Sequence, residues 1–300
     1  MAHRTASLTP DILCIGSVLW DIIGRTDTHM LPGADLPGRI TRTPGGVAMN
    51  IAMTLAQHGL RPALLTAIGR DRAGEDLLAE CARLGLITEH IHRPETLPTD
   101  VYLAIEGANG LIAAIADARS LEAAGGAILR PLADGRLGSA DAPWAGPIAL
   151  DGNLTEALLA EIATSALFAR ADLRVAPASP GKALRLRPLL AHPAATLYLN
   201  LEEANLLAGT DETKAAVVTQ ALLAKGAARV LVTNGAGDCA KGIRGADVLV
   251  ASPPAVRVAR VTGAGDAFMA AHIAAERRGI GREAALAAAL SAAAAHVSGG

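Results

Sequence analysis

Short apolar runs that end in glycine-rich turns and lead into helix formers recur along this chain, and few architectures accept that pattern. Residues 11–21 (DILCIGSVLWD) read as a buried strand closed by a small-residue turn and an acid. Pro44-Gly45-Gly46 leads into a helix predicted over 51–58 with Asn50 in its first turn, and Gly59 stands in the terminating position. Residues 61–69 read as a strand, and the turn 70–74 opens a helix over 75–84. Strand, glycine turn, helix and strand in alternation predict a doubly wound, mostly parallel α/β sheet flanked by helices.

The turn that carries chemistry comes late. Thr262-Gly263-Ala264-Gly265-Asp266 is followed by an uninterrupted run of helix formers, Ala267-Phe268-Met269-Ala270-Ala271 and onward. A glycine-rich turn opening a helix aims unpaired N–H groups and the positive end of the helix dipole at one spot, which suits an anion such as a transferring phosphoryl group. Asp266 has the wrong charge to bind phosphate and the right chemistry to accept a proton from an attacking hydroxyl. A plain helix cap would use the same residue types. The tetrapeptide occurs a second time as Gly235-Ala236-Gly237-Asp238, after the strand 229–233 and before Lys241-Gly242-Ile243-Arg244-Gly245, which is unsuited to a helix interior. That copy is predicted to be a turn between strands, so its partial dinucleotide pattern and the oxidoreductase it would suggest carry little weight.

Composition narrows the partner. Charged residues are 19% of the 300, the net charge is −2 and no basic block occurs, so nucleic acid is excluded as a partner and a small molecule is expected. The three cysteines, Cys14, Cys81 and Cys239, are widely spaced and lack a C-x-x-C pair, which argues against a disulfide framework or a zinc site and for buried thiols in the cytoplasm. No secretory leader precedes the first strand, and no run is long and apolar enough to span a bilayer.

Two segments do not fit a doubly wound core. Residues 24–43 are polar and rich in Gly and Pro, and residues 99–106 and 111–117, joined by Gly107-Ala108-Asn109-Gly110, form a predicted β-hairpin. Together they predict a small sheet over the substrate site, whose outer face would pair with a second copy in a homodimer. The whole chain, residues 1–300, reads as one domain with residues 24–43 and 99–117 as its lid. Asp21 at its strand end is either a substrate contact or a turn acid. Asn153, after the strand 148–150 and before a helix over 155–168, is either a ligand contact or a turn residue. Asn200 and Glu203 either hold a hydrated magnesium ion or form a capping box, and spacing alone does not decide between them.

These features, in this order, resemble the ribokinase-like (PfkB) carbohydrate kinases over nearly the whole chain. The resemblance puts Asp266 in the place of the catalytic base and Gly263, Ala264 and Gly265 in that of the anion hole. It puts Gly45, Gly46 and Asn50 among the substrate contacts, Asn200 and Glu203 in the magnesium-organising Asn-x-x-Glu, and Thr233 and Gly235 beside the nucleotide. Residues 44–69, Ala116-Asp117 and Asp151-Gly152-Asn153 are most similar to pseudouridine kinases, with Ser179 and Lys182 matching a Ser and Lys of that group. Departures are Ala176-Pro177 where the group tends to have Asp-Pro, Met49 before Asn50, and an early end at Gly300 that implies an altered adenine side. The resemblance implies ATP and Mg2+, leaves a monovalent cation (K+) open, and implies a ribosyl substrate held by Asp21, Gly45, Gly46, Asn50, Asn153 and Lys182. Relatives acting on ribose, a keto-deoxy sugar acid or adenosine are the nearest alternatives, and a non-catalytic sugar- or nucleotide-binding protein on the same scaffold is another.

Overall fold

Ile12–Ile15 (β1) is wholly apolar and wholly buried because it runs inside a sheet with a parallel neighbour on each side. The structure, a computed structural model, describes residues 9–259 and 262–299. Arg260 and Val261, just before the late glycine turn, lie outside those residues. The chain continues through β2 (Leu19–Arg25), β3 (Arg39–Gly45), α1 (Val47–Gln57), β4 (Pro62–Leu65), α2 (Arg72–Arg83), β5 (Val101–Gly107), β6 (Gly110–Asp117) and α3 (Arg119–Ala124). Then come β7 (Pro147–Asp151), α4 (Glu156–Thr164), β8 (Asp172–Ala176), β9 (Ala195–Asn200), α5 (Leu201–Ala208) and α6 (Ala215–Ala224). The last third is β10 (Arg229–Asn234), β11 (Gly237–Ile243), β12 (Leu249–Ala251), α7 (Ala264–Arg277) and α8 (Arg282–Val297). Three 3-10 segments, Gly125–Leu132, Ala166–Phe168 and Pro180–Leu189, fill connections.

The main sheet has eight strands in the order β12-β11-β10-β9-β8-β7-β1-β4, parallel from β10 to β4, with β11 and β12 antiparallel. Alternate side chains of each strand feed two cores. Leu13 and Ile15 face α4, α5 and α6, while Ile12 and Cys14 face α1, α2, α7 and α8. Each buried Leu or Ile contributes about 1.5–3 kcal/mol over its exposed state, which holds the helices against both faces. This is the ribokinase-like α/β fold that the sequence predicts.

Parallel strands in register bring their carboxyl ends to one edge. Asp151 lies beside Ala176, and Asn200 beside Thr233. The turn at 235–236 joins antiparallel β10 and β11, so the first Gly-Ala-Gly-Asp is a hairpin turn and only the second opens a helix.

The predicted strand 11–21 requires correction. It breaks at Gly16, and Asp21 belongs to β2 in a second sheet of order β3-β2-β5-β6 rather than to the end of a central strand. The apolar run through Leu19 and Trp20 hides the break, because Trp20 is buried at the root of the small sheet, its Nε1 donating to the Ala73 carbonyl at 2.8 Å. The first excursion therefore contributes strands 19–25 and 39–45, with only 26–38 as loop. The helix predicted over 155–168 stops at Thr164, where Ser165 turns extended and caps a separate 3-10 turn.

Candidate active site

α1 and α7 pack side by side on one face of the main sheet, and their amino-terminal turns bring Asn50 and Asp266 together. The Asn50 Nδ2 donates to Asp266 Oδ2 at 2.9 Å. Burial pushes the Asp266 carboxyl up to about 7; the Asn50 hydrogen bond opposes the rise, and the negative charges of Asp151, Glu203 and Asp21 add to it. A carboxylate with that pKa is matched to proton acceptance near neutral pH.

Gly263, at a left-handed φ of 84°, starts α7 with no side chain capping it. Its carbonyl neighbour is fixed from behind: the His296 ring of α8 lies with Nε2 2.8 Å from the Thr262 oxygen. Among the described residues, nothing beyond the helix's own backbone and the chain neighbours lies within 4 Å of where a Gly265 Cβ would be. An uncapped helix start beside open space, at Gly263, Ala264 and Gly265, is a geometry that suits a phosphoryl group. Thr233 and Gly235 stand at the end of β10, where Asn200 pairs with Thr233.

The small sheet supplies the opposite wall. A Cβ at Gly45 would lie 2.1 Å from Asp21 Oδ2, and one at Gly46 2.4 Å from the Ser17 carbonyl oxygen, with φ at 95°. The two glycines therefore make room for the Asp21 carboxylate and for the close passage of the 16–18 turn. Burial pushes Asp21 up to about 6. The hairpin strand over 101–105 turns only part of its apolar side chains to this side. Tyr102 is the register partner of Asp21 and Ala104 shares their face, whereas Val101, Leu103 and Ile105 point the other way. Tyr102 is the side chain that sequence alone did not single out, because only the β2–β5 register puts it beside Asp21.

On the far side, Lys182 Nζ donates to Asn153 Oδ1. The Lys182 ammonium is half-buried, forms no ion pair among the described residues, and has a pKa lowered by burial and by the nearby Arg185. Asn153 is thus more than a turn residue. Behind it lies Asp151, fully buried, which no local sequence pattern sets apart from its neighbours.

Asn200 and Glu203 form a capping box: Asn200 Oδ1 accepts from Glu203 N at 2.9 Å, and Glu203 Oε2 accepts from Asn200 N at 2.8 Å. The cap leaves the second Glu203 oxygen without a hydrogen bond among the described residues. Burial raises the Glu203 pKa by disfavouring its charged form, a penalty that a cation brought beside the carboxylate would offset. No cluster of three or more His, Cys, Asp or Glu among the described residues could cage a metal. A metal here would have to share its coordination with phosphate oxygens and water, an arrangement usual for magnesium.

Residues 9–299 match the profile described as pfkB family carbohydrate kinase. The chain belongs to this family. A pseudouridine kinase of Escherichia coli K12 is 30% identical to this kinase over 267 residues, 86% of this chain and 81% of that one. A solved carbohydrate kinase from Agrobacterium tumefaciens is 27% identical with a TM-score of 0.78, over 94% of this kinase and 89% of that chain. Arabidopsis thaliana ribokinase complexed with ribose and ATP shares the fold, at 21% identity and a TM-score of 0.75 over 97% and 93% of the two chains. No helix among the described residues is long and apolar enough to cross a membrane.

Proposed function

We propose that this kinase uses ATP with Mg2+ to phosphorylate the primary hydroxyl of a ribosyl nucleoside, with pseudouridine the leading substrate and pseudouridine 5′-phosphate the product. The observation that carries the reading is the Asn50–Asp266 hydrogen bond, because it joins the acceptor-side helix to the turn suited to the phosphoryl group. Asp266 takes the proton of the attacking hydroxyl as that oxygen bonds to the γ-phosphorus and the bridging bond to ADP breaks. The N–H groups of 263–265 face the charge that develops on the phosphoryl oxygens. Magnesium, when bound, neutralises phosphate charge, and Asn200 with the free Glu203 oxygen would hold its water shell.

Nucleoside over free sugar is favoured by what surrounds Asp21. Its carboxylate and Asn50 suit ribose hydroxyls, the Tyr102 ring beside it offers a flat face, and the Lys182 ammonium suits a carbonyl on a base edge. Free ribose would leave both Tyr102 and Lys182 unused. The test is steady-state ADP formation with pseudouridine, uridine, ribose, adenosine and a keto-deoxy sugar acid. Pseudouridine is expected to exceed ribose in kcat/KM by about tenfold or more, roughly 1–3 kcal/mol. Uridine is the sharper comparison, since its nitrogen glycoside relocates one ring N–H with little change of shape. Equal use of ribose or adenosine would overturn the substrate and leave the family. Absence of ADP formation with every acceptor would favour a binding protein on the same scaffold.

Two further parts belong to the same reading. The free, buried Cys14, Cys81 and Cys239 suit the reducing cytoplasm. The apolar outer face of the small sheet suits a homodimer.

A further inference from the structure

The N-cap of α1 is Gly46, which has no side chain to satisfy the first N–H groups of the helix. The missing acceptor comes from a distant strand. Asp151, at the end of β7, accepts from Ala48 N at 3.0 Å and from Ser17 N at 2.8 Å through Oδ2, and from Asn153 N at 2.8 Å through Oδ1. Its carboxylate is wholly buried and forms no ion pair among the described residues. Room for it is made by Gly16, at φ 148°, where a Cβ would lie 2.3 Å from the carboxyl carbon. An acid that merely closed its own turn would need only the Asn153 contact. Here the donors come from three segments: the turn before Asp21, the first turn of the helix carrying Asn50, and the turn carrying Asn153 with its Lys182 partner.

We propose that Asp151 is a positioning residue of the phosphoryl-transfer site, capping α1 from across the sheet and holding the three acceptor-side segments in one geometry. The proposal rests on the acceptor-side roles of Asp21, Asn50 and Lys182 in the proposed function. A neutral isostere cannot replace it. In Asp151→Asn the amide oxygen can serve the Ser17 and Ala48 donors, but the amide nitrogen then faces the Asn153 N–H and that bond is lost. The substitution also removes one of the negative charges that bear on Asp266; the other polar groups there are Asp21 from β2, Glu203 from α5 and Asn50 from α1.

The test is the kinetics of Asp151→Asn with pseudouridine and ATP as a function of pH. KM for pseudouridine should rise about tenfold, KM for ATP should stay within roughly twofold, and the acidic limb of kcat/KM should move to lower pH. A merely structural role would lower the fraction of active enzyme with both KM values and the limb unchanged, and that result overturns the proposal. So does an equal rise in both KM values. Hydrogen exchange on the unmodified protein decides the matter even if the variant does not fold. The amides of Ser17, Ala48 and Asn153 should share one protection factor, because breaking the clamp exposes all three. Protection factors scattered over about tenfold or more would show that no common clamp exists. Failure of the substrate reading would appear separately, as no turnover of pseudouridine by the unmodified kinase, and leaves the exchange result on the free protein intact.

Discussion

Among the described residues, a side chain at position 265 would meet open space, since nothing outside its own helix stands within 4 Å of its Cβ and the backbone there is ordinary helix. Gly265→Val should therefore fold as the parent does, while its branched side chain occupies the volume expected for the phosphoryl group. We expect a loss of about 10²-fold or more in kcat/KM for ATP with an unchanged melting temperature. Parental kinetics would reduce the turn to a helix start. One position on, the carboxyl of Asp266 is pushed by burial from its ordinary 3.8 to about 7, so the folded state binds its proton more tightly than the unfolded chain does. The ionised group then costs stability, with the cost absent below about pH 4, growing as the pH rises, and complete above about pH 7. Asp266→Asn should melt higher than the parent at pH 8 and alike at pH 4, while kcat falls by roughly 10²- to 10⁴-fold. Unchanged turnover would remove Asp266 from the mechanism, and a stability gain independent of pH would remove the burial argument. Asp266 was legible in sequence because its turn and helix are contiguous. Asp151 was not, because its donors Ser17 and Ala48 are 134 and 103 residues away and no local pattern encodes them.

Among the elements, α7 owes its position to more than packing. Its buried face is mostly alanine, Ala267, Ala270, Ala271, Ala274 and Ala275, and such small side chains interlock little with a neighbour. Polar groups fix what alanine leaves loose. His272, wholly buried, lies with Nδ1 2.8 Å from the Tyr198 hydroxyl of β9 and Nε2 2.8 Å from Lys241 Nζ of β11. Glu276 accepts from Lys241 at 2.8 Å and from Arg174 of β8 at 2.5 Å. Burial holds His272 neutral, down to about 3, whereas at Glu276 the Arg174 and Lys241 cations outweigh burial and bring the carboxyl down to about 2. Glu276→Ala would leave the buried Lys241 without its ion pair and Arg174 with Asp172 alone, and we expect a loss of about 3 kcal/mol in urea unfolding. A change within error would mean that packing alone seats the helix. The start of α7 and the β10–β11 turn were readable from glycine placement and from the residues after each turn, helix formers in one case and Lys241-Gly242 in the other. The β1–β2 break was not, because apolar residues continue across Gly16 and only the separate burial of Trp20 under the small sheet distinguishes the two strands. The buried network was likewise hidden, since its members come from three strands and one helix.

For the whole molecule, the small sheet poses the remaining physical problem. The face opposite Asp21 carries Ile22, Leu103 and Ile115 in one cross-strand row and Ile40 and Ile105 in the next. Ile40 is 77% exposed, Ile115 67% and Leu103 39%, an apolar surface of the kind that single soluble chains avoid. The root of the same face is covered by the chain itself: Trp20 is buried, and Arg42 stacks over its ring at 3.9 Å while pairing with Asp76 of α2. Only the outer part needs a partner. Its strands present aliphatic side chains without a charged pattern that would select a different protein, so a second copy, burying about 800 Å² on each partner, is the occupant we predict. Light scattering should give twice the 30.4 kDa chain mass, and Ile115→Lys, which buries a charge in that contact and touches nothing on the Asp21 side, should give the single mass. Because the small sheet forms one wall of the proposed acceptor site, the same variant should raise KM for the acceptor more than KM for ATP. A parent that stays monomeric at high concentration, or an Ile115→Lys protein that still dimerises, would place the contact elsewhere or nowhere.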